Sequence, residues 1–361
     1  MKKKILSFAL TLTLSILILS CSNEDTDKST TNVKTNEIPV EVLDVQAQQF
    51  RHYFEVKANV EAVKLAMISP ETPGQIKNIF VSEGQNVNKG DILLKQNASV
   101  VEGQIRSIQT QLNLAETTYN KQKELWLEKH VGSEIQYLQA KTQYESLQEQ
   151  LKTLQAQLDM SDIKAPFGGI VDKINIKEGE LASPGMQIIA LVNLNKMKFI
   201  GDVSETYLPV IHKGDSVDIT FSTYPNLKLR EPIYRTGNII NPANRTFNIE
   251  IRSQNIHNQL KPNMISTIKI NDYTKDSALV VPSIIIKKDF EKQFIFIAEK
   301  NDTMTFARKV FVETGRSYKD QTVITKGINI GTNVIIKGYN IVSNGSPINI
   351  KTTRTNIQTQ E

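Results

Sequence analysis

PGQIKNIFVSEGQNVNKGDILL (residues 73–94) is matched further along the chain by GGIVDKINIKEGELASPGMQIIAL (residues 168–191). Gly74, Gly84 and Gly90 lie 10 and 6 apart, and Gly169, Gly179 and Gly185 keep both intervals 95 residues later. In each copy a short alternating run leads to Glu-Gly, then to a glycine turn, then to an apolar run, which is a strand-turn-strand pattern stated twice. The six glycines read as structural turns, because only glycine adopts positive φ without steric cost. Each copy alone would leave an apolar face uncovered. The two are therefore expected to pack together as halves of one small domain, at residues 66–96 and 163–193, that something else interrupts.

The interruption, residues 97–162, has helix composition: it is nearly free of Gly and Pro and fills with Gln, Leu, Glu, Lys, Ala and Thr. Ile105, Ile108, Leu112, Ala115, Tyr119, Gln122 and Trp126 step by threes and fours, and so do Tyr137, Ala140, Tyr144, Leu147, Leu151, Leu154 and Leu158. Two heptad seams on either side of a break at residues 130–133 predict an antiparallel coiled-coil hairpin. Each arm would be about 28 residues, hence about 42 Å long.

Beyond Leu191 the pattern turns to short alternating strands broken by Pro, Gly and Asn, with a short helix at residues 207–211. This predicts a small β-barrel at 194–275. A further all-β unit follows at 276–350, to which the N-terminal strand is expected to return, so that 38–65 and 276–350 form one domain. The fold class is mostly β and multidomain, with one inserted α-helical hairpin. Residues 351–361 read as a polar tail.

The N-terminus carries Lys2, Lys3 and Lys4, then an apolar stretch from Ile5 to Leu19, then Ser20 and Cys21. That is the layout of a signal peptide over residues 1–20, too short to span a bilayer comfortably. Cys21 is the only cysteine in 361 residues, which excludes an internal disulfide or a thiol redox pair. Residues 21–37 are polar and read as a tether. The formal charge of +5 falls to +2 once the three leader lysines are removed, which is no nucleic-acid signature. His52, His130, His212 and His257 are scattered and read as surface residues, without metal-ligand spacing, and the methionines form no soft-ligand cluster. No phosphate-binding glycine loop is present, so nucleotide hydrolysis is excluded. Neither an enzyme nor a cofactor-bearing protein is expected.

The split module resembles the biotinyl/lipoyl-type hairpin fold. A lipoyl-like domain opened by a helical insert resembles the periplasmic adaptors, or membrane fusion proteins, of bacterial tripartite efflux pumps, most like the resistance-nodulation-division type. The resemblance covers nearly all of the chain after residue 37. In the barrel it includes the region 242–247 and the phrase Leu260-Lys261-Pro262-Asn263-Met264, where Asn stands in the family's Gly place.

Several expectations follow from the resemblance. The unit at 38–65 and 276–350 would be the membrane-proximal domain. Ile18 to Cys21 resembles a lipobox, with Ile18 and Leu19 departing from its usual residues, so Cys21 would be the lipidation site of a periplasmic, membrane-anchored protein; a signal that merely contains a cysteine is the alternative. The family's Arg, Leu and Ser that dock on an outer-membrane channel fall at Lys121, Leu125 and Gly132, with Ser133 one place on. Lys lacks the planar fork of Arg, and Ser133 has a second reading as a helix cap. Carrier domains of the lipoyl fold bear their group on a hairpin-tip lysine, and here the insert replaces that tip next to Lys95. The partners implied are an inner-membrane transporter of resistance-nodulation-division type, with an ABC-type exporter as the second choice, an outer-membrane channel, and copies of the chain itself in a ring. The cargo would be drugs or other small solutes. A passive envelope scaffold lipoprotein is the rival of a different class.

Overall fold

The computed structural model describes residues 37–302 and 304–355. Cys21 and the expected signal peptide and tether lie outside the described residues, apart from Glu37. Two compact units form, one from Ala47–Ser283 with Thr314–Thr325, the other from the described parts of Met1–Gln46, Ile284–Glu313 and Lys326–Glu361. No described helix is long and apolar enough to cross a membrane.

In the larger unit the two repeats meet. Gly74 pairs with Ala182 and Gln75 with Leu181, while Asn86 pairs with Ile170 and Val87 with Gly169. The exchange is reciprocal at the 95-residue interval. Gly179 N–H donates to Ile76 O (2.8 Å) and Gly84 N–H to Val171 O (2.7 Å). Glu178 accepts from the Ile79 N–H (2.8 Å) and Glu83 from the Ile174 N–H (2.9 Å). The Glu-Gly phrase is thus a clasp: its Glu satisfies a backbone donor of the other half, and its Gly turns the chain. Ile76 and Val171, Leu93 and Ile188, and Leu94 and Ile189 fill the core in matching pairs.

Four of the six glycines have positive φ, namely Gly84, Gly90, Gly179 and Gly185. Gly74 and Gly169 differ from the expectation of turns: they open the strands Gly74–Ile79 and Gly169–Ile174. Close approach explains Gly169, where a Cβ would stand 2.4 Å from the Val192 carbonyl oxygen.

The barrel is a closed circle of six antiparallel strands, Ala47–Ile68, Ile189–Ser204, Thr246–Gln254, Lys228–Thr236, Ser216–Phe221 and Ile265–Pro282. Closure removes free edges, and Val60, Phe199, Ile219, Phe247 and Ile251 fill the interior. The strand Ala47–Ile68 corrects the sequence boundary that gave 38–65 to the membrane-proximal domain: residues 54–62 belong to the barrel core. Residues 279–282 likewise pair with 321–324 inside this larger unit. Asn263 takes φ +67 in the glycine place of its phrase, and its N–H donates to Val60 O (2.8 Å). In place of the expected helix at 207–211 stands a 3-10 turn, Glu205–Tyr207. His52 is no plain surface residue, since its Nδ1 lies 2.5 Å from the buried Asp272 carboxylate, which Arg316 also holds at 2.6 Å.

In the smaller unit Ile38–Val45 pairs antiparallel with Thr332–Lys337 and parallel with Ile348–Arg354, over a core of Val42, Ala307 and Ile335. The expected polar tail therefore starts too early. Residues 351–354 are strand, and Arg354 reaches Glu41 at 3.2 Å. Lys337 donates to Glu41 Oε1 at 2.9 Å, and that hydrogen bond leads in holding the Glu41 carboxyl below its ordinary value.

Candidate interaction site at the hairpin tip

Helix α1 (Ser99–Lys123) and helix α2 (Glu134–Asp159) form the insert, and they leave the lipoyl-like module next to the strands Ile92–Gln96 and Asp162–Lys164, which pair with each other. Lys95 lies in the first of these strands, 3.7 Å from Asp162, and not on a tight turn. The seam is narrow. Leu112, Ala115, Leu147 and Leu151 are buried, with Ile105, Ile108 and Tyr144 packed on them. Towards the tip Tyr119 stacks on Tyr144 and Tyr137 at centroid distances of 5.4 and 6.0 Å. Most helical stability in proteins comes from packing of an apolar face, so this seam holds the arms together.

The heptad phase stops short of Trp126. A π-turn, Glu124–Glu128, continues from α1, and the Lys129 N–H donates to Glu124 O (3.0 Å) five residues back. The Lys129 ammonium also bonds the Glu124 carboxylate at 2.7 Å. That hydrogen bond holds the Glu124 carboxyl below its ordinary value and the Lys129 ammonium above its own. His130 and Gly132 then take positive φ, +52 and +115, to reverse the chain.

Lys121 and Leu125 are one helical turn apart and both exposed, and a Cβ on Gly132 would stand 4.0 Å from the Leu125 Cβ. Lys121, Leu125 and Gly132 therefore share one side of the tip. Ser133 holds the N-cap place of α2, but its side chain makes no capping bond; only its carbonyl accepts from the Tyr137 N–H, at 3.1 Å. The tip also exposes Leu127, Val131, Ile135 and Leu138. These were readable in the sequence as apolar residues standing outside both heptad series. The described residues hold no group of three or more His, Cys, Asp or Glu side chains placed to bind a metal ion. The described residues thus place an apolar cap on a narrow two-helix stalk that the lipoyl-like module carries.

Known proteins resemble this chain in sequence and in fold. Residues 101–160 match the CzcB-like alpha-helical hairpin domain and residues 200–274 the CusB-like beta-barrel domain. The Multidrug resistance protein MdtA of Proteus mirabilis is 22% identical over 336 residues, 87% of this chain and 81% of its own. The Nodulation protein NolF of Rhizobium meliloti is 21% identical over 305 residues, 80% and 81%. In fold, the chain is similar to a MacA-MexA chimera containing the Pseudomonas aeruginosa MexA alpha-hairpin domain: TM-score 0.67, 19% identity, 81% of this chain and 99% of that one. It is also similar in fold to MacA from Actinobacillus actinomycetemcomitans, at TM-score 0.58 and 18% identity over 81% of this chain and 98% of that one. The hairpin and the barrel thus each match a family model, and over most of its length the chain resembles the membrane fusion proteins of tripartite efflux pumps.

Proposed function

We propose that this adaptor is anchored by lipid on Cys21, stands in the periplasm, and joins an inner-membrane exporter of the resistance-nodulation-division type to an outer-membrane channel. The exposed apolar tip carries the reading. Leu125, Leu127, Val131, Ile135 and Leu138 stand together on a hairpin whose seam buries little, so their exposure is offset only when another surface covers them. Lys121 adds a charge on the side of Leu125 and Gly132. An outer-membrane channel is the partner this tip fits. The exporter would engage the β-domains, and copies of the chain would close a ring with the lipoyl-like modules side by side. The multidrug name of the Proteus mirabilis relative supports drugs or other small solutes as cargo.

Photocrosslinking from positions 121, 125 and 133 in intact cells tests the docking. Capture of an outer-membrane channel at these positions, and not from position 147 inside the seam, is expected. Capture of no envelope channel from any tip position, in cells whose export depends on this protein, contradicts it.

A further inference from the structure

In the smaller unit, the Ile38 N–H donates to Pro347 O (3.0 Å), so the chain enters beside the loop 338–347. That loop leads to a turn at 289–292. Tyr339 O accepts from Lys287 Nζ at 2.8 Å, Asn344 Oδ1 accepts from the Lys309 N–H at 2.9 Å, and Lys309 pairs with Asp289. Turn and loop thus share the end of the unit at which the N-terminal segment arrives. Phe290 at the turn is 96% exposed with φ +53, an uncommon conformation for a bulky residue, and Ile341 in the loop is 66% exposed. Lys288 and Lys292 flank Phe290 and are exposed; Asp289 is paired, while Glu291 beside Phe290 and Glu37 before Ile38 are exposed opposing charges.

We propose that this end of the unit rests on an anionic lipid surface, with Phe290 and Ile341 set among the headgroups and Lys288 and Lys292 facing lipid phosphates. An exposed aromatic flanked by two lysines, with an aliphatic point at the same end, is the chemistry of interfacial anchoring. Two such points are too small for a stable protein interface, which takes about 800 Å² per partner. The proposal rests on Cys21 being acylated: residues 22–37 then keep Ile38 within about 60 Å of the bilayer at full extension.

The test uses the full mature chain with Cys21→Ser, held on vesicles by an N-terminal hexahistidine and a nickel-chelating lipid, so that its outcome is independent of acylation. Acylation is read separately from the mass of the mature N-terminus. With Cys21 replaced, F290C, I341C and I330C each give a single thiol for an environment-sensitive fluorophore. Ile330 is the control: it is 62% exposed and lies beside Gly331, whose N–H donates to Val45 O at the other end of the first strand. On phosphatidylethanolamine/phosphatidylglycerol vesicles the labels at 290 and 341 should shift to the blue and brighten about twofold, as in an interfacial environment, with the label at 330 unchanged. A smaller response on phosphatidylcholine is expected. Equal responses at 290 and 330, no dependence on anionic lipid, or a shift at 290 that grows with protein concentration without vesicles would each overturn the proposal, the last pointing to a second copy of the chain as the occupant.

Discussion

The lipoyl-like module and the hairpin it carries are built on opposite principles. The module is closed: each half supplies what the other lacks, donor for acceptor and apolar face for apolar face, and its core residues are almost wholly buried. The hairpin is open: four buried residues hold two arms of 25 and 26 residues, and its tip shows apolar side chains to solvent. A completed core positions a probe, and an incomplete one leaves the probe something to bind with.

The sharpest way to break this comparison is the pair Gly169 and Gly74, equivalent by sequence and unequal in space. Gly169→Ala drives a Cβ into the backbone of Val192, and a loss of about 3 kcal/mol in urea unfolding is expected. Gly74→Ala meets only the Gln96 side chain, at 3.2 Å, and should lose about 1 kcal/mol. Equal losses would mean that the two halves are less distinct than the structure has them.

In the hairpin, Leu147→Ala removes one of the four buried seam residues. Hydrogen exchange of α1 and α2 should quicken by an amount equivalent to about 2 kcal/mol, the low end for a core leucine, while exchange in the module stays unchanged. Coupled loss in both regions would refute their independence.

The clasp allows a finer test. Glu83→Ala and Glu178→Ala each leave one backbone N–H without its acceptor, and each should lower stability by about 1 kcal/mol or less, by nearly the same amount. At the tip, Leu125→Ser or Val131→Ser should leave unfolding within about 0.5 kcal/mol while export falls, because both side chains are exposed and outside the buried seam.

The smallest effect is electrostatic. The Glu124 carboxyl is held below 4.5 by its hydrogen bond from Lys129, so its contribution is present above the unfolded value and is lost as pH falls through the folded one. The Lys129 ammonium is held above 10.5 by the same bond, and its contribution is lost as pH rises through that folded value. Carboxyl titration by NMR should show Glu124 returning to the ordinary range in Lys129→Ala, with no change in Tm for a pair this exposed.

Much of the module was legible because its information is local and stated twice: the glycine intervals, the Glu-Gly phrase and the flanking apolar runs. The hairpin seam was legible through its period. What escaped depends on distance along the chain or on phase. Ala47–Ile68 stays one strand while it runs along the barrel and into the module, and the register shift between Ala62 and Lys64 is a matter of pairing that no turn residue marks. His52 and Asp272 are 220 residues apart, and neither carries a sign of the other. The heptad steps continue to Trp126 although the π-turn has already shifted the backbone, because side-chain spacing does not report which carbonyl an N–H selects. Gly74 and Gly169 looked like their turn-forming neighbours, since sequence does not separate a need for positive φ from a need for room.

One pair of engineered thiols tests the completion of the module most directly. Gln75 and Leu181 face each other across the two halves as strand partners, and with Cys21→Ser the chain has no other thiol. Gln75→Cys with Leu181→Cys should form an intramolecular disulfide in nearly every folded molecule under mild oxidation, as the Cα separation of paired strands, about 4.5–5.5 Å, permits. Two free thiols in the folded chain, or joining only after denaturation, would contradict the account.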